Sequence, residues 1–434
     1  MPQILIASMS PVGHIGPLLN LARGLVDRGD DVTVLTAAKH AATIRAAGAR
    51  PRALPPQTDI DETRLDEQFP GRSSTTGIQR VDFDITNIFV KPLPHQAAAL
   101  SEVLADNHFD AVISDAMFFG VLPFVLGDPA ARPPILTYST TPLLISSRDT
   151  GPGGLGLPPS STRYGRMRNR ALTALTQRVL LRGSHVAANR LLDRLNTRTL
   201  PVFVTDAGLL ADRLIAPTVP EFDYPRTDLP ANVRYVGAVH PAPTVGFRPP
   251  SWWHLLDGSR PVVHVTQGTI DNADLTRLLA PTIDALADEA VTVVATTGGR
   301  PVSALGDRLP ANTFVAEYLP HDVLLPKVDV MVTNGGYGAV QRALAAGVPM
   351  VVAGNTEDKP EVAARVAWSG AGVNLKTGTP SPRAVRAAVR TVLDDPGYRE
   401  NARRLEAALA RRNGVAEIAA LVDEVIAERS ERVR

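Results

Sequence analysis

Residues 332–354, VTNGGYGAVQRALAAGVPMVVAG, have types and a spacing that could bind a phosphate group. An apolar run leads directly into small or polar residues: Asn334, Gly335, Gly336, Tyr337 and Gly338. A helix is predicted to begin near Ala339, and its start would add about half a positive charge to the backbone N–H groups that the glycines expose. The segment could therefore bind a pyrophosphate without a metal ion. A turn that needs its glycines only for backbone geometry is the alternative.

Strands and helices that alternate along the chain must position that segment. The sequence contains two such alternating regions. Residues 4–7, 111–115 and 134–139 are short apolar runs, and residues 18–28 carry apolar side chains at helical spacing. This order predicts a parallel sheet whose strand ends meet at a ligand crevice. The alternation restarts with the runs VVHVTQGT, VTVVATTGG, TFVAEYLP, VDVMVTNGG and PMVVAG. We therefore predict an α/β fold of two Rossmann-like, doubly wound parallel-sheet domains that face each other across a cleft.

A proline-rich segment predicts the boundary between the two domains. Five prolines punctuate it: Pro241, Pro243, Pro249, Pro250 and Pro261. The predicted organisation is a domain over 1–236, a linker over 237–261, a domain over 262–412, and a helix over 413–434 that packs back toward the first domain. Residues 55–94 and 146–164 are predicted to be irregular, either as binding loops or as mobile segments.

Composition excludes several classes of protein. The 434 residues contain no cysteine, which excludes disulfides, iron–sulfur clusters, cysteine nucleophiles and cysteine-based zinc sites. Lys+Arg 45 against Asp+Glu 44 gives a net charge of +1, which offers no broad electrostatic surface for nucleic acid. The start lacks the basic region of a signal peptide, and the longest apolar stretch, 117–127, is too short to span a membrane. We therefore expect a cytoplasmic protein.

One segment departs from this balanced charge. Residues 163–198 contain nine arginines and a single acidic residue, Asp193. Either the segment contacts a membrane surface or an acidic partner, or it is an exposed pair of helices in a chain that uses arginine in preference to lysine.

Six segments of the chain, in a fixed order, carry a resemblance to a known family. They are PVGHIGP, SDAMF from Ser114, VTQGT from Val265, EYLPHDVLL from Glu317, NGGYG through AAGVP from Asn334, and EDKPEVAARV from Glu357. Together they resemble the UDP-glycosyltransferase-like family of GT-B enzymes, in particular its bacterial natural-product members. The resemblance implies a GT-B fold, an acceptor bound mainly by the first domain, a nucleotide sugar bound mainly by the second, and inverting sugar transfer to a hydroxyl.

The resemblance assigns a catalytic pair in the first domain. His14 occupies the position of the family's general base, in the loop after the first strand, and Asp115 that of the carboxylate that orients it. A neutral imidazole accepts a proton near pH 7, and a neighbouring carboxylate stabilises the imidazolium. A structural or solvated histidine is the alternative. Four apolar residues are expected to contact the acceptor: Phe83, Phe89, Met117 and Phe118.

The resemblance places the donor site mainly in the second domain. Gly268 and Thr269 resemble a turn that contacts phosphate, Tyr318 stands where relatives stack an aromatic ring on the base, and the backbone of Leu319 would pair with the base edge. The remaining predicted donor-binding residues are Gly13, Asn334, Gly335, Gly336, Tyr337, Gly338, Ala339, Asp358 and Lys359. For Tyr318 the alternative is packing in the core, and for Lys359 it is a solvated surface position.

Four residues depart from the family's pattern. Asn334 replaces a histidine, Ala339 a serine or threonine, and Lys359 a glutamine. Arg342 stands where many relatives have a glutamate that binds both ribose hydroxyls. A guanidinium only donates hydrogen bonds, so it replaces that carboxylate imperfectly. Either the donor lacks a 2′-hydroxyl, as a dTDP-sugar does, or Arg342 turns outward and another residue binds the ribose.

These features predict a metal-independent hexosyltransferase with no cofactor besides its nucleotide-sugar co-substrate, carrying dTDP or UDP. The expected acceptor is a hydrophobic, hydroxylated small molecule such as a polyketide, macrolide or phenolic aglycone. We expect no nucleic-acid partner, no stable membrane insertion, and a monomer or homodimer. A GT-B nucleotide-sugar epimerase and a catalytically silent GT-B partner protein are the alternatives.

Overall fold

A computed structural model describes residues 1–269, 271–306 and 308–433, so Arg434, at the end of the predicted last helix, lies outside the described residues. The first seven strands form one parallel sheet in the order β3-β2-β1-β4-β5-β6-β7. They are β1 Gln3–Ala7, β2 Asp31–Thr36, β3 Arg50–Ala53, β4 Ala111–Asp115, β5 Ile135–Tyr138, β6 Arg213–Ala216 and β7 Val233–Tyr235. In β1, Ile4 and Ile6 enter one hydrophobic cluster, whereas Leu5 and Ala7 enter another. Both faces of the sheet are therefore covered, which explains the nearly continuous apolar runs.

The helices of the first domain cover this sheet. They are α1 Val12–Arg28, α2 Ala41–Ala46, α3 Leu65–Gln68, α4 Gly77–Asp84, α5 Leu93–Asp106, α6 Leu122–Val125, α7 Arg163–Leu175 and α8 Arg182–Arg194, with π-helical turns at Ile85–Val90 and Thr176–Leu180. Shorter 3₁₀ turns occur at Ala38–His40, Pro56–Thr58, Phe119–Val121, Pro129–Ala131 and Val204–Leu210.

Two predictions for this domain are wrong. Residues 55–94 are largely helical rather than irregular; α3 and α4 contain no buried residue, so they leave no apolar periodicity in the sequence. Helix α1 begins at Val12, not near residue 18, because Gly13, Gly16 and Pro17 lie inside its first turns. His14 therefore lies on the first turn of a helix and not in a loop.

The second sheet has the order β10-β9-β8-β11-β12-β13, again all parallel. Its strands are β8 Val262–Thr266, β9 Thr292–Thr296, β10 Thr313–Ala316, β11 Val330–Thr333, β12 Met350–Val352 and β13 Gly372–Asn374. Its helices are α9 Leu279–Leu286, α10 His321–Leu324, α11 Tyr337–Ala345, α12 Lys359–Trp368, α13 Pro382–Asp394 and α14 Pro396–Ala410, with 3₁₀ turns at Leu275–Arg277, Val302–Leu305 and Leu325–Lys327. Two sheets of this kind confirm the predicted α/β class.

Two segments connect the domains. Residues 236–261 contain one short 3₁₀ turn, Ser251–Leu255, and are otherwise without helix or strand. The last helix, α15 Gly414–Val433, follows the second domain in the chain but inserts Ile418, Val422 and Val425 into the core of the first. In the other direction, Val219 and Phe222 of the segment after β6 are buried in the core of the second domain. Each core is thus completed by a piece of chain from the other half.

Helices α7 and α8 carry the arginine-rich segment on the surface. Tyr164, Met167, Leu175 and Val179 are exposed in this segment, among exposed arginines. None of the described helices combines the length and the apolar content needed to cross a membrane.

Candidate active site

His14 and Asp115 form a hydrogen-bonded pair at the carboxyl ends of adjacent strands. β1 and β4 are neighbours, so the turn after β1 brings the start of α1 over the end of β4. The Nδ1 atom of His14 lies 2.8 Å from Oδ2 of Asp115, which is fully buried. The backbone N–H groups of Met9 and Met117 donate to the same carboxylate, at 3.4 and 3.0 Å. The imidazole is therefore oriented by a carboxylate that is itself held in place.

The second ring nitrogen of His14 has no hydrogen-bond partner among the described residues, and its side chain is 16% exposed. Burial lowers the pKa of His14, but the charge of Asp115 and its hydrogen bond, together with the charges of Asp358 and Glu357, raise that pKa above its usual value overall. Asp358 and Glu357 belong to the second domain. The imidazole therefore faces the cleft under the influence of carboxylates from both domains.

The four predicted acceptor-binding residues lie in different surroundings. The ring of Phe89 lies 5.5 Å from that of His14, and Met117 adjoins Asp115. Phe83 is half-buried on α4, beside Gly71. Phe118 is fully buried with Leu5 and Ala7, and its contact with the acceptor stays a prediction.

The glycine-rich segment forms the turn from β11 into α11, which no side chain caps. Gly335 has φ +87°, and a Cβ atom there would lie 2.8 Å from Val352, so this turn requires glycine. Gly336 precedes the helix, and Gly338 and Ala339 lie in its first turn. The Tyr337 side chain is buried, so we expect a ligand to contact this residue through its backbone N–H.

Asn334 joins the two central strand ends of the second sheet. Its Nδ2 donates to the carbonyl of Gln267 at 2.6 Å, and Gly268 follows in a turn with φ +72°. Thr269 is exposed beside it. Asn272, which sequence reasoning missed, donates to the carbonyls of Gly268, Thr297 and Gly298, each at 3.0 Å. Its role depends on a loop distant in sequence, so no local signal could have found it.

The residues predicted to contact the nucleobase lie at the edge of the second sheet. Tyr318 is 61% exposed, so its alternative as a core residue is wrong, whereas Leu319 is buried. Arg342 is partly buried, and its side chain forms no hydrogen bond or ion pair with any described residue. It lies close enough to His240 and His321 to contribute, after burial, to lowering the pKa of both.

Lys359 is not a solvated surface lysine. It is 4% exposed at the start of α12, and its Nζ lies 3.1 Å from Thr356, 3.4 Å from Asp271 and in contact with Glu357. Burial lowers its pKa, but these carboxylates raise it overall, so it carries a charge. Asp358 precedes the helix, and burial followed by the charge of Glu357 raises its pKa to about 6.

The arrangement offers a base on one side and hydrogen-bond donors on the other. Gly13 is exposed in the first turn of α1, beside His14, so it lies on the side of the base. Within residues 1–269, 271–306 and 308–433, no group of three or more His, Asp or Glu side chains is placed to hold a metal ion.

Comparisons with known proteins show which chains this one is similar to. Residues 280–425 match the family described as erythromycin biosynthesis protein CIII-like, C-terminal domain. The chain is 43% identical to a 4'-demethylrebeccamycin synthase of Lentzea aerocolonigenes, over 98% of this chain and 99% of that protein. It is 36% identical to UDP-glycosyltransferase 2 of Phaeomoniella chlamydospora, over 98% and 96%. Among solved structures, the Streptomyces sp. SF2575 glycosyltransferase SsfS6, complexed with thymidine diphosphate, has a TM-score of 0.66 at 19% identity, over 98% of this chain and 100% of that one.

Proposed function

The chain belongs to the natural-product glycosyltransferases of the UDP-glycosyltransferase family, and from this premise we propose that it transfers a sugar, with inversion, to a hydroxyl of a hydrophobic small molecule. The acceptor class we propose is a polyketide, macrolide or phenolic aglycone. The observation that carries the proposal is the 2.8 Å contact between His14 and Asp115 at the cleft, with Asp358 on the opposite side.

In the proposed reaction, Nε2 of His14 takes the proton of the acceptor hydroxyl as its oxygen attacks the anomeric carbon. Asp115 stabilises the resulting imidazolium. The bond from the anomeric carbon to the nucleoside diphosphate breaks, and attack from the opposite face inverts the configuration. The uncapped N-terminus of α11 stabilises the diphosphate that leaves, so we propose that no metal ion is needed.

We propose dTDP rather than UDP as the nucleoside diphosphate, because Arg342 cannot accept hydrogen bonds from two ribose hydroxyls. Thymidine diphosphate is also the ligand in the SsfS6 complex. Isothermal titration with dTDP and UDP tests this choice. We expect dTDP to bind more tightly, and clearly tighter binding of UDP would overturn it.

The alternatives are less favoured. An epimerase would act on the nucleotide sugar alone and would need no base on the acceptor side. A silent partner protein would not need to keep the catalytic pair. We further propose that the enzyme acts in the cytoplasm as a monomer or homodimer.

The test is sugar transfer from dTDP-glucose or UDP-glucose to a panel of phenols and macrolides by the wild type and His14→Ala. We expect transfer to fall by a factor of about 100 or more, which a positioned base contributes, while nucleotide binding persists. His254→Ala, at an exposed histidine, is the matched control and should transfer normally. Undiminished transfer by His14→Ala would remove His14 as the base.

A further inference from the structure

A buried cluster of charged side chains joins the two domains. Arg365 of α12 donates to Asp223 at 2.9 Å, to Glu361 at 2.8 Å and to the carbonyl of Leu143 at 3.0 Å. Arg226 also donates to Asp223, at 2.7 Å. We call Asp223, Arg226, Glu361 and Arg365 the interdomain ion cluster. Each side chain is at most 5% exposed.

Glu361 also holds a loop of the first domain. Its Oε1 atom accepts hydrogen bonds from the backbone N–H of Gly154 at 3.0 Å and of Gly156 at 2.7 Å. Gly156 has φ +58°, and a Cβ atom there would lie 2.9 Å from the carbonyl of Pro360. The segment over residues 150–157, which we call the glycine loop, therefore lies directly against α12 and depends on one carboxylate.

The same helix presents the predicted sugar-binding residues. Asp358 precedes α12, Lys359 begins it, and the N–H of Glu361 donates to the carbonyl of Asp358 at 3.0 Å. Glu361 and Asp358 thus belong to one helical turn. A displacement of α12 that moves Asp358 must also move the carboxylate that holds the glycine loop.

Burial of four charges is costly, and apolar residues of similar size often stabilise a fold as well or better. Stability alone therefore does not explain the cluster. Within the cluster, Glu361 uses one carboxylate oxygen for Arg365 and the other for the glycine loop, so its geometry is fully specified.

We propose that Glu361 and Arg365 are positioning residues: they fix the glycine loop of the first domain, which is the predicted acceptor-binding domain, to the helix that carries the predicted sugar-binding residues, so that the acceptor is bound in register with the donor. This inference rests on the proposed function. It predicts that loss of Glu361 raises the KM for the acceptor more than it lowers kcat, since neither residue touches the reacting atoms.

The test compares Glu361→Ala and Glu361→Gln with the wild type, using hydrogen exchange of the glycine loop and kinetics with 2-naphthol as a probe acceptor. In Glu361→Ala we expect the Gly154 and Gly156 amides to exchange at least about tenfold faster. We expect the acceptor KM to rise about tenfold, with kcat changed less than threefold, because the variant changes the order of the loop and leaves the reacting groups in place. Glu361→Gln should recover part of both effects, because its amide oxygen can still accept from the two N–H groups.

Glu289→Ala, which removes a carboxylate paired with Arg390 elsewhere in the second domain, is the matched control. If Glu361→Ala does not fold, Gly156→Ala displaces the loop against Pro360 without altering a charge, and we expect the same rise in exchange and KM. Unchanged loop exchange and KM in a folded variant would overturn the inference. Absence of transfer by the wild type would instead refute the proposed function, and loop exchange would still decide the role of Glu361.

Discussion

His14 is the residue on which the charges of both domains act. Asp115 orients its ring from the first domain, and Asp358 and Glu357 raise its pKa from the second. A base with a raised pKa takes a proton more readily, but it is itself protonated at a higher pH. For His14 as the proposed base, the carboxylates that raise its pKa therefore also set the lower limit of its working pH range.

Asp115→Asn tests this balance through the pH dependence of transfer. In the wild type we expect kcat/KM to fall as pH decreases through an apparent pKa above 6.5, because His14 becomes protonated. Without the Asp115 charge the pKa of His14 drops, so the fall should occur at lower pH, while the plateau drops by about 100-fold or more. The measurement is kcat/KM from pH 5 to pH 9. Asp358, with a pKa of about 6, titrates in the same range, so Asp358→Asn is measured in parallel. If kcat/KM falls at the same pH in Asp115→Asn as in the wild type, the fall is not caused by protonation of a His14 that Asp115 influences.

Arg342 gives a prediction about nucleotide choice. Arg342→Glu restores a carboxylate that can accept hydrogen bonds from both ribose hydroxyls, each worth about 1.5–3 kcal/mol when it involves a charged group. We expect the ratio of the Kd for UDP to the Kd for dTDP to fall at least about tenfold, measured by titration calorimetry. Arg383→Glu, at an exposed arginine of α13, is the control and should leave the ratio unchanged. If Arg342→Glu and Arg383→Glu have the same ratio of the Kd for UDP to the Kd for dTDP, Arg342 does not face the ribose.

At the scale of helices and strands, the sequence predicts where an element begins when the pattern that determines its start is local. The start of α11 lies within two residues of its prediction because an apolar strand and glycines mark it. The start of α1 was misplaced because glycine and proline, which usually interrupt helices, occupy its first turns. The surroundings of Lys359 were unpredictable because its partner Asp271 comes from a different loop. Glu361, likewise, gains its role only from the glycine loop of the other domain.

Strand β8 and helix α10 bring together a buried histidine, His264, and a partly buried one, His321, which predicts acid sensitivity of the second domain. The rings of His264 and His321 are 5.7 Å apart, and Nε2 of His264 and Nδ1 of His321 are buried without a hydrogen-bond partner in the described part of the chain. Burial lowers the pKa of His264 to about 4, and burial with neighbouring positive charge lowers that of His321 to about 3. Below about pH 6.5 these two imidazoles bind protons in the unfolded chain but not in the folded chain. The folded state is therefore less stable as pH falls from 6.5 to 4.

His264→Leu should reduce the loss of folding stability at low pH. The share of His264 is on the order of 3 kcal/mol at pH 4, and it disappears with the imidazole. We expect the variant to unfold at a similar temperature to the wild type at pH 7 but at a higher one at pH 4.5, measured by calorimetry. His254→Gln, at an exposed site, serves as the control. An identical pH dependence in His264→Leu and the wild type would refute the prediction.

At the scale of the whole molecule, the two domains share their cores and their charges. Residues 163–198 carry nine arginines against Asp193, so the nearly neutral total conceals a strongly basic surface on α7 and α8. The last helix returns to the first domain, where Arg28 pairs with Asp423 at 2.8 Å and Arg213 with Glu424 and Glu428. Because α15 follows the second domain but packs on the first, it limits how far the domains can separate while it stays docked.

Two glycines of α1 test how closely α15 is seated. Glycine inside a helix costs about 1 kcal/mol relative to alanine, so Gly16→Ala, where a Cβ atom meets nothing within 4 Å, should stabilise the protein by up to about that amount. At Gly24 a Cβ atom would lie 2.5 and 2.9 Å from the γ carbons of Val415. Gly24→Ala should therefore destabilise by about 1–3 kcal/mol despite its better helix propensity, because α15 must shift.

Removing the opposing methyl groups should reverse the effect at Gly24. Val415→Ala deletes both γ carbons, so in Gly24→Ala/Val415→Ala the new methyl group fills the space they leave. Urea unfolding of the two single variants and the double variant gives the interaction energy, which we expect to be favourable by about 1 kcal/mol or more because the residues are in direct contact. Equal stability of Gly24→Ala and Gly16→Ala would mean that α15 is not seated against α1. The predicted opposite signs at two glycines of one helix would separate this docking from helix propensity, since only Gly24 lies beneath α15.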